Sequence, residues 1–182
     1  MEEWRDAPVF GREGVRIAAA VALAVFLAAS AAAADAPPPD RAPVGLSAVD
    51  PATGEKIALD WAQGPTHVAF IATWCRPCLE EASRLFDLQD RWKADGYKLF
   101  LVALPTRQSV ERLKDFLGQG PVPGRLLFDA DGSVSKAFAV TTIPAHVLVD
   151  RTGRTIARTG SLDEAFTQAV ERGVRQAGRS RP

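Results

Sequence analysis

Trp74-Cys75-Arg76-Pro77-Cys78 holds the only two cysteines among 182 residues. Two thiols so spaced suit three kinds of chemistry: a metal clip, a short structural staple, or a reversible redox pair. A closed zinc site uses about four ligands, mostly cysteine and histidine, and the chain offers only His67 and His146 besides. His67 lies eight residues before Cys75, about 25 Å away along an extended strand, too far to share a site with it. His146 falls in another apolar run and reads as a core histidine. A disulfide closing so small a loop removes little chain entropy, so a staple would contribute little support. The pair stands instead where a strand-like run gives way to a helical pattern. Unpaired N–H groups and the dipole at a helix start stabilise a thiolate. Pro77 suits the first turn, where a missing N–H costs nothing, and Arg76 adds a positive charge beside it. Cys75 is expected at the cap and exposed, with Cys78 one turn in and covered. Redox chemistry is the reading that remains, with no metal and no bound cofactor expected.

Several elements must position this pair. Leu46–Val49 and Lys56–Leu59 flank the turn-rich DPATGE and read as a hairpin. Val68–Thr73 is a short apolar run, a buried strand that ends just before the cysteines. Leu79, Ala82, Leu85, Phe86, Leu88 and Trp92 recur at helical spacing until Asp95-Gly96. Tyr97–Leu104 is a second buried strand, and Ser109 can cap a helix through Leu117. Leu126–Phe128 is a brief strand before DADG, followed by a short helix over Val134–Val140. Ala145–Asp150 and Thr155–Thr159 form a hairpin around Arg151-Thr152-Gly153-Arg154. Ser161 to Glu164 reads as a capping box opening a last helix to about Gln176. Strand–helix–strand units imply parallel strands and the closing hairpin adds antiparallel ones. The expected architecture is α/β: a mixed central sheet with helices on both faces and an N-terminal β-hairpin.

Hydrophobic residues make up 47% of the chain, enough for one core, and 22 basic residues balance 22 acidic ones. Such a balance gives no field that would draw the protein to nucleic acid. Residues 17–34 are an uninterrupted run of small and apolar side chains ending in Ala32-Ala33-Ala34. The run marks residues 1–34 as a signal peptide, with a retained membrane anchor as the alternative; either would export the globular domain. Residues 35–43 read as a proline-rich linker, 44–177 as the globular domain and 178–182 as a disordered tail.

Ala72-Thr73-Trp74-Cys75-Arg76-Pro77-Cys78 resembles the active-site signature of exported thioredoxin-like proteins of the TlpA/ResA type. Thr142-Ile143-Pro144, followed by AHVLVD and RTGR, matches a second signature of the family, in which the proline is cis and packs against the cysteines. The resemblance covers residues 44–176. It implies a thioredoxin fold and thiol–disulfide exchange. Cys75 would attack a substrate disulfide, and Cys78 would resolve the mixed disulfide to leave Cys75–Cys78 oxidised. Ile143 would offer its backbone to the substrate, Pro144 would shape the groove, and Trp74 would flank the site. Thioredoxins proper carry a buried aspartate six residues before the first cysteine; here that position is Ala69. Exported relatives often carry a glutamate three residues after the second cysteine, which makes Glu81 the candidate acceptor of the Cys78 proton, whereas Glu80 is expected to be solvated. Where relatives often show threonine after the proline, this chain has Ala145-His146.

The resemblance further implies protein substrates bearing disulfides or thiols, a membrane electron donor, a periplasmic location, and a task such as cytochrome c maturation or copper-site assembly. Three alternatives make different demands. A partner-binding module would use the cysteines little. A copper-handling protein would need His146 within reach of both sulfurs. A peroxidase would place its nucleophilic cysteine in a different sequence context.

Overall fold

The computed structural model describes residues 39–179. The expected signal peptide or anchor, the first part of the linker and the last three residues lie outside that range. The described residues form β1 (Ser47–Val49), β2 (Lys56–Ala58), β3 (Thr66–Ile71), α1 (Arg76–Glu80), α2 (Ala82–Trp92), β4 (Lys98–Ala103) and α3 (Val110–Gly118). They continue with β5 (Arg125–Phe128), α4 (Ser133–Ala137), β6 (Ala145–Val149), β7 (Thr155–Thr159) and α5 (Glu164–Arg179).

All seven strands join one sheet in the order β2-β1-β5-β4-β3-β6-β7. β3, β4 and β5 run parallel, while β6 lies antiparallel on the other side of β3. The expected mixed sheet and N-terminal hairpin are therefore present. Every residue of β3 is buried, as its apolar run requires for a central strand covered on both faces. One face packs Ala69, Leu99, Leu101 and Leu148 against Leu85 and Leu88 of α2, Leu113 of α3, and Phe166 and Val170 of α5. The other packs Val68, Phe70, Val102 and Val147 against Val134, Phe138 and Trp61.

Three local expectations need correction. The helix expected from Leu79 to Trp92 is two helices, because Glu81 leaves helical pairing with φ −86° and ψ −7°. Leu79, expected on the buried face, consequently belongs to the short first piece and is exposed. The last helix begins at Glu164 and is capped by Asp163, whose Oδ1 accepts from the Phe166 N–H at 2.7 Å; Ser161 lies too early to serve. The end of the expected linker is pinned. Ala42 N–H donates to Gly153 O, and Thr155 donates through its N–H to Asp40 O and through its hydroxyl to Pro39 O.

Asp129 connects the sheet to the site. It is buried at the end of β5, and its carboxylate accepts from Val134 and Ser135 N–H at 3.0 and 2.8 Å. These bonds fix the start of α4, which leads the chain towards Ile143-Pro144. Replacing Asp129 with Ala leaves two buried donors unpaired, each worth about 1–3 kcal/mol. Urea unfolding of Asp129→Ala is expected to show a loss of at least about 2 kcal/mol, against a few tenths for the exposed Asp131→Ala.

Candidate active site

Cys75 caps α1 and is joined to Cys78 by a disulfide, with their Cα atoms 5.3 Å apart. The Cys78 N–H points at Cys75 Sγ at 3.3 Å, so the sulfur takes the place an N-cap oxygen would hold. Arg76 and Pro77 occupy the first turn, as expected. Cys75 is 5% exposed and Cys78 4%. The expectation that Cys75 stands open does not hold for the oxidised pair, because both sulfurs face inward into the core cluster they share with Ala72 and Leu162.

Arg76 does not face the sulfurs. Its Nε pairs with Glu80 at 2.9 Å on the exposed side of α1, so Glu80 is ion-paired as well as solvated. Trp74 remains 41% exposed. Its indole N–H donates to Thr106 O at 2.9 Å, and the Arg107 guanidinium lies 4.2 Å from its ring centroid. Thr73 donates to Gln108 Oε1 at 3.0 Å. The segment Thr106–Gln108 thus braces the cysteine loop from the end of β4, and Arg107 adopts φ +55° to do so.

The Ile143–Pro144 peptide bond is cis. Pro144 is buried, and Ile143 packs against the cluster containing both cysteines. Two residues on, His146 Nε2 meets Glu81 Oε2 at 2.9 Å, while Leu162 N–H donates to Glu81 Oε1 at 2.7 Å. The glutamate at the end of the cysteine helix therefore ties that helix to β6 and to the approach to α5.

This contact continues inward. His146 Nδ1 lies 3.0 Å from His67 Nε2, and His67 Nδ1 lies 2.7 Å from the Tyr97 hydroxyl. Both histidines are fully buried. Burial holds the His67 imidazole well below its ordinary pKa, and a charge on neighbouring His146 would add to the effect. Burial also lowers His146, although Glu81 acts in the opposite direction. Burial pushes the Tyr97 phenol up. The rings are accordingly uncharged at neutral pH.

Distance along its strand separates His67 from Cys75, but the neighbours of His67 are lateral. Ala69 pairs with His146 across β3 and β6, so His67 and His146 are diagonal neighbours on one face of the sheet. The available signal was an inward-facing histidine on each of two strands, together with the only tyrosine in the chain. His146 is a core histidine, as expected, but it also reaches the candidate acid. Both its ring nitrogens are engaged, so it has no lone pair to offer a metal held by the cysteines. Among the described residues no group of three or more His, Cys, Asp or Glu side chains is placed to hold a metal ion.

Residues 40–158 match the AhpC/TSA family. The chain belongs to this family. Among curated proteins, this AhpC/TSA chain is 28% identical over 104 residues to thiol-disulfide oxidoreductase ResA of Bacillus thuringiensis subsp. konkukian, covering 57% of this chain and 59% of that protein. It is 27% identical over 101 residues to sporulation thiol-disulfide oxidoreductase A of Bacillus subtilis, covering 55% and 61%. The match thus spans about three fifths of each relative's length. A solved thiol:disulfide interchange protein of the thioredoxin family from Chlorobium tepidum superposes with a TM-score of 0.63 at 23% identity, covering 78% of this chain and 99% of that one. At that identity the likeness establishes the fold, which is thioredoxin-like.

The buried histidines set a pH dependence of stability. Their pKa values are lowered in the folded protein, so the unfolded chain binds more protons below about pH 6.5. Their contribution is present above that pH and is lost as pH falls through it. Urea unfolding of the full chain between about pH 7.5 and pH 5 is expected to show stability falling with acidity, by up to about 1.4 kcal/mol per pH unit for each histidine held neutral. His67→Leu should flatten that slope.

Proposed function

We propose that this protein is an exported thiol–disulfide oxidoreductase that reduces disulfides of protein substrates. The observation that carries the reading is the Cys75–Cys78 disulfide at the start of a helix, in a thioredoxin-like fold with a cis proline at position 144. Names of the similar proteins support it, since both curated relatives are called thiol-disulfide oxidoreductases. Among the described residues no helix is long and apolar enough to cross a membrane; export rests on the alanine-rich leader.

In the proposed cycle the reduced pair acts first through the Cys75 thiolate. It attacks one sulfur of a substrate disulfide and expels the other with the electron pair. Glu81, one turn beyond Cys78, takes the Cys78 thiol proton. The Cys78 sulfur then bonds to Cys75, the Cys75–substrate bond breaks, and its electron pair leaves on the substrate sulfur that Cys75 had attacked. The substrate gains two electrons and two protons, one the Cys78 proton passed on by Glu81 and one from the solvent that took the Cys75 proton when the thiolate formed, and the Cys75–Cys78 pair is oxidised. A membrane electron carrier would restore the dithiol. Exposed Trp74 and Leu79, with the Ile143 backbone, form the surface on which a substrate chain would lie. Cytochrome c maturation or copper-site assembly are the tasks that fit such a narrow reductant.

The engaged nitrogens of His146 weigh against copper handling, and the closed cysteine pair weighs against a docking module that leaves it unused. A trapping experiment separates these readings. Cys78→Ser is expected to accumulate mixed disulfides through Cys75 with exported proteins, and Cys75→Ser to accumulate none. Equal trapping by both variants, or by neither, would contradict the assigned roles. Loss of a positioned general base typically costs about 10²–10⁴-fold, so Glu81→Gln should slow resolution at neutral pH by at least about tenfold. Stopped-flow fluorescence of Trp74 provides the readout.

A further inference from the structure

Three arginines stand near the cysteine turn, and the structure uses them differently. Arg76 is ion-paired with Glu80. Arg112 of α3 lines a cleft with Thr73 and Leu79, and the same cleft holds Asp115. Arg107 is exposed and, among the described residues, makes no ion pair. Its guanidinium lies instead over Trp74, 4.2 Å from the ring centroid.

That placement carries a cost. Arg107 adopts φ +55°, a left-handed conformation that is unfavourable for a residue with a Cβ. Glycine would take the same turn without penalty. Strain of this kind persists where the surroundings over-determine it, and here they do. Thr106 accepts from the Trp74 indole N–H through its carbonyl, and Gln108 accepts from the Thr73 hydroxyl through Oε1. With both neighbours tied to the cysteine loop, the Arg107 side chain is carried onto Trp74, one residue before Cys75.

The contact with the ring determines what the guanidinium still offers. A cation–π contact uses the charge but consumes no hydrogen-bond donor. An arginine has five N–H donors in a planar fork, and the fork matches a carboxylate, which can accept two parallel bonds from it. Resting on a ring that is itself anchored, the fork has already lost part of its freedom, which lowers the cost of ordering it on a partner. Nearby carboxylates do not compete: Glu80 is held by Arg76, and Glu81 by His146 and Leu162. The position selects a side chain of the substrate. Trp74 adjoins the nucleophile, so any chain reacting at Cys75 passes close to this cation.

We propose that Arg107, stacked on Trp74, is a specificity-determining residue that receives a substrate carboxylate: an aspartate or glutamate within about three residues of the cysteine that Cys75 attacks. The inference rests on the reading of Cys75 as the attacking thiolate.

The test uses the full chain, reduced, against short peptides of otherwise neutral sequence. Each peptide holds one cysteine in a disulfide to an uncharged thiopyridyl group, with Glu, Gln or Lys about three residues to one side or the other. Stopped-flow absorbance of the released thiopyridone gives the rate constant for each. Ratios between peptides within one protein cancel any change in the reactivity of Cys75. Comparing those ratios between proteins cancels the effect of the added charge on the peptide sulfur.

Wild type is expected to react with a Glu peptide at least about threefold faster than with its Gln counterpart, and the ratio should shrink as salt rises. Arg107→Gly suits the left-handed backbone and should bring the ratio close to one. Arg107→Glu should reverse the order, with the Lys peptide the faster; if that variant does not fold, Arg107→Gln is expected to lose the preference as Arg107→Gly does. A smaller wild-type ratio, or one that survives in Arg107→Gly, would overturn the assignment. So would equal slowing of all the peptides in Arg107→Gly, the result expected if the arginine only packs on Trp74. Release of no thiopyridone from any peptide by wild type would remove the thiol–disulfide reading and this inference with it, whereas equal reaction with all of them would end the inference alone.

Discussion

The carboxylate of Glu81 is the constraint on which the site depends. Its two oxygens are claimed from two directions, by the His146 ring and by the Leu162 N–H. A carboxylate binding a buried imidazole and a backbone donor is held by charge-assisted bonds, which are about twice as strong as neutral ones. Glu81 is also where the first helix ends and the second begins. The same residue therefore closes the cysteine turn, fixes its angle to the sheet and docks it on the strand that begins just after Pro144.

Sheet order makes this arrangement available. β3 delivers the cysteines at its carboxyl end, and β6 beside it begins at the cis proline. Because β6 runs antiparallel, its first residues lie against the last residues of β3: Ala145 pairs with Phe70 and His146 with Ala69. Two segments about 65 residues apart in sequence thus meet at one end of the sheet. Thioredoxins proper hold a buried aspartate at the position of Ala69. Here that position is apolar, and the polar contact is made beside it, where Glu81 on the helix meets His146, the residue that pairs with Ala69 from the neighbouring strand.

Much of this was legible in the residues. Apolar runs of β3 and β4 can only be central strands, and DPATGE and RTGR carry turn chemistry that fixes two hairpins. The cysteines announce themselves by type and spacing, and Pro144 by the family resemblance of Thr142-Ile143-Pro144. What escaped was lateral. Helical periodicity continues through Glu81, so the break there depends on the bonds its side chain makes to residues 65 and 81 positions away. Burial of Cys75 depends on the core cluster it joins, which includes Leu162 from far along the chain. The His67–His146 contact depended on register: one strand slipped by a single residue would turn one ring to the opposite face.

Reversible dithiol–disulfide chemistry at Cys75–Cys78 is the central claim, and its reduction potential tests that claim most directly. Equilibration of the full chain with dithiothreitol or glutathione, read by tryptophan fluorescence, gives the value. A single two-electron transition near or below about −270 mV, where thioredoxin lies, is the predicted result and marks a reductant that needs a membrane electron supply. A potential near about −120 mV, that of a strong periplasmic oxidant, would contradict the reducing direction, and the absence of any reversible transition would contradict the redox reading itself.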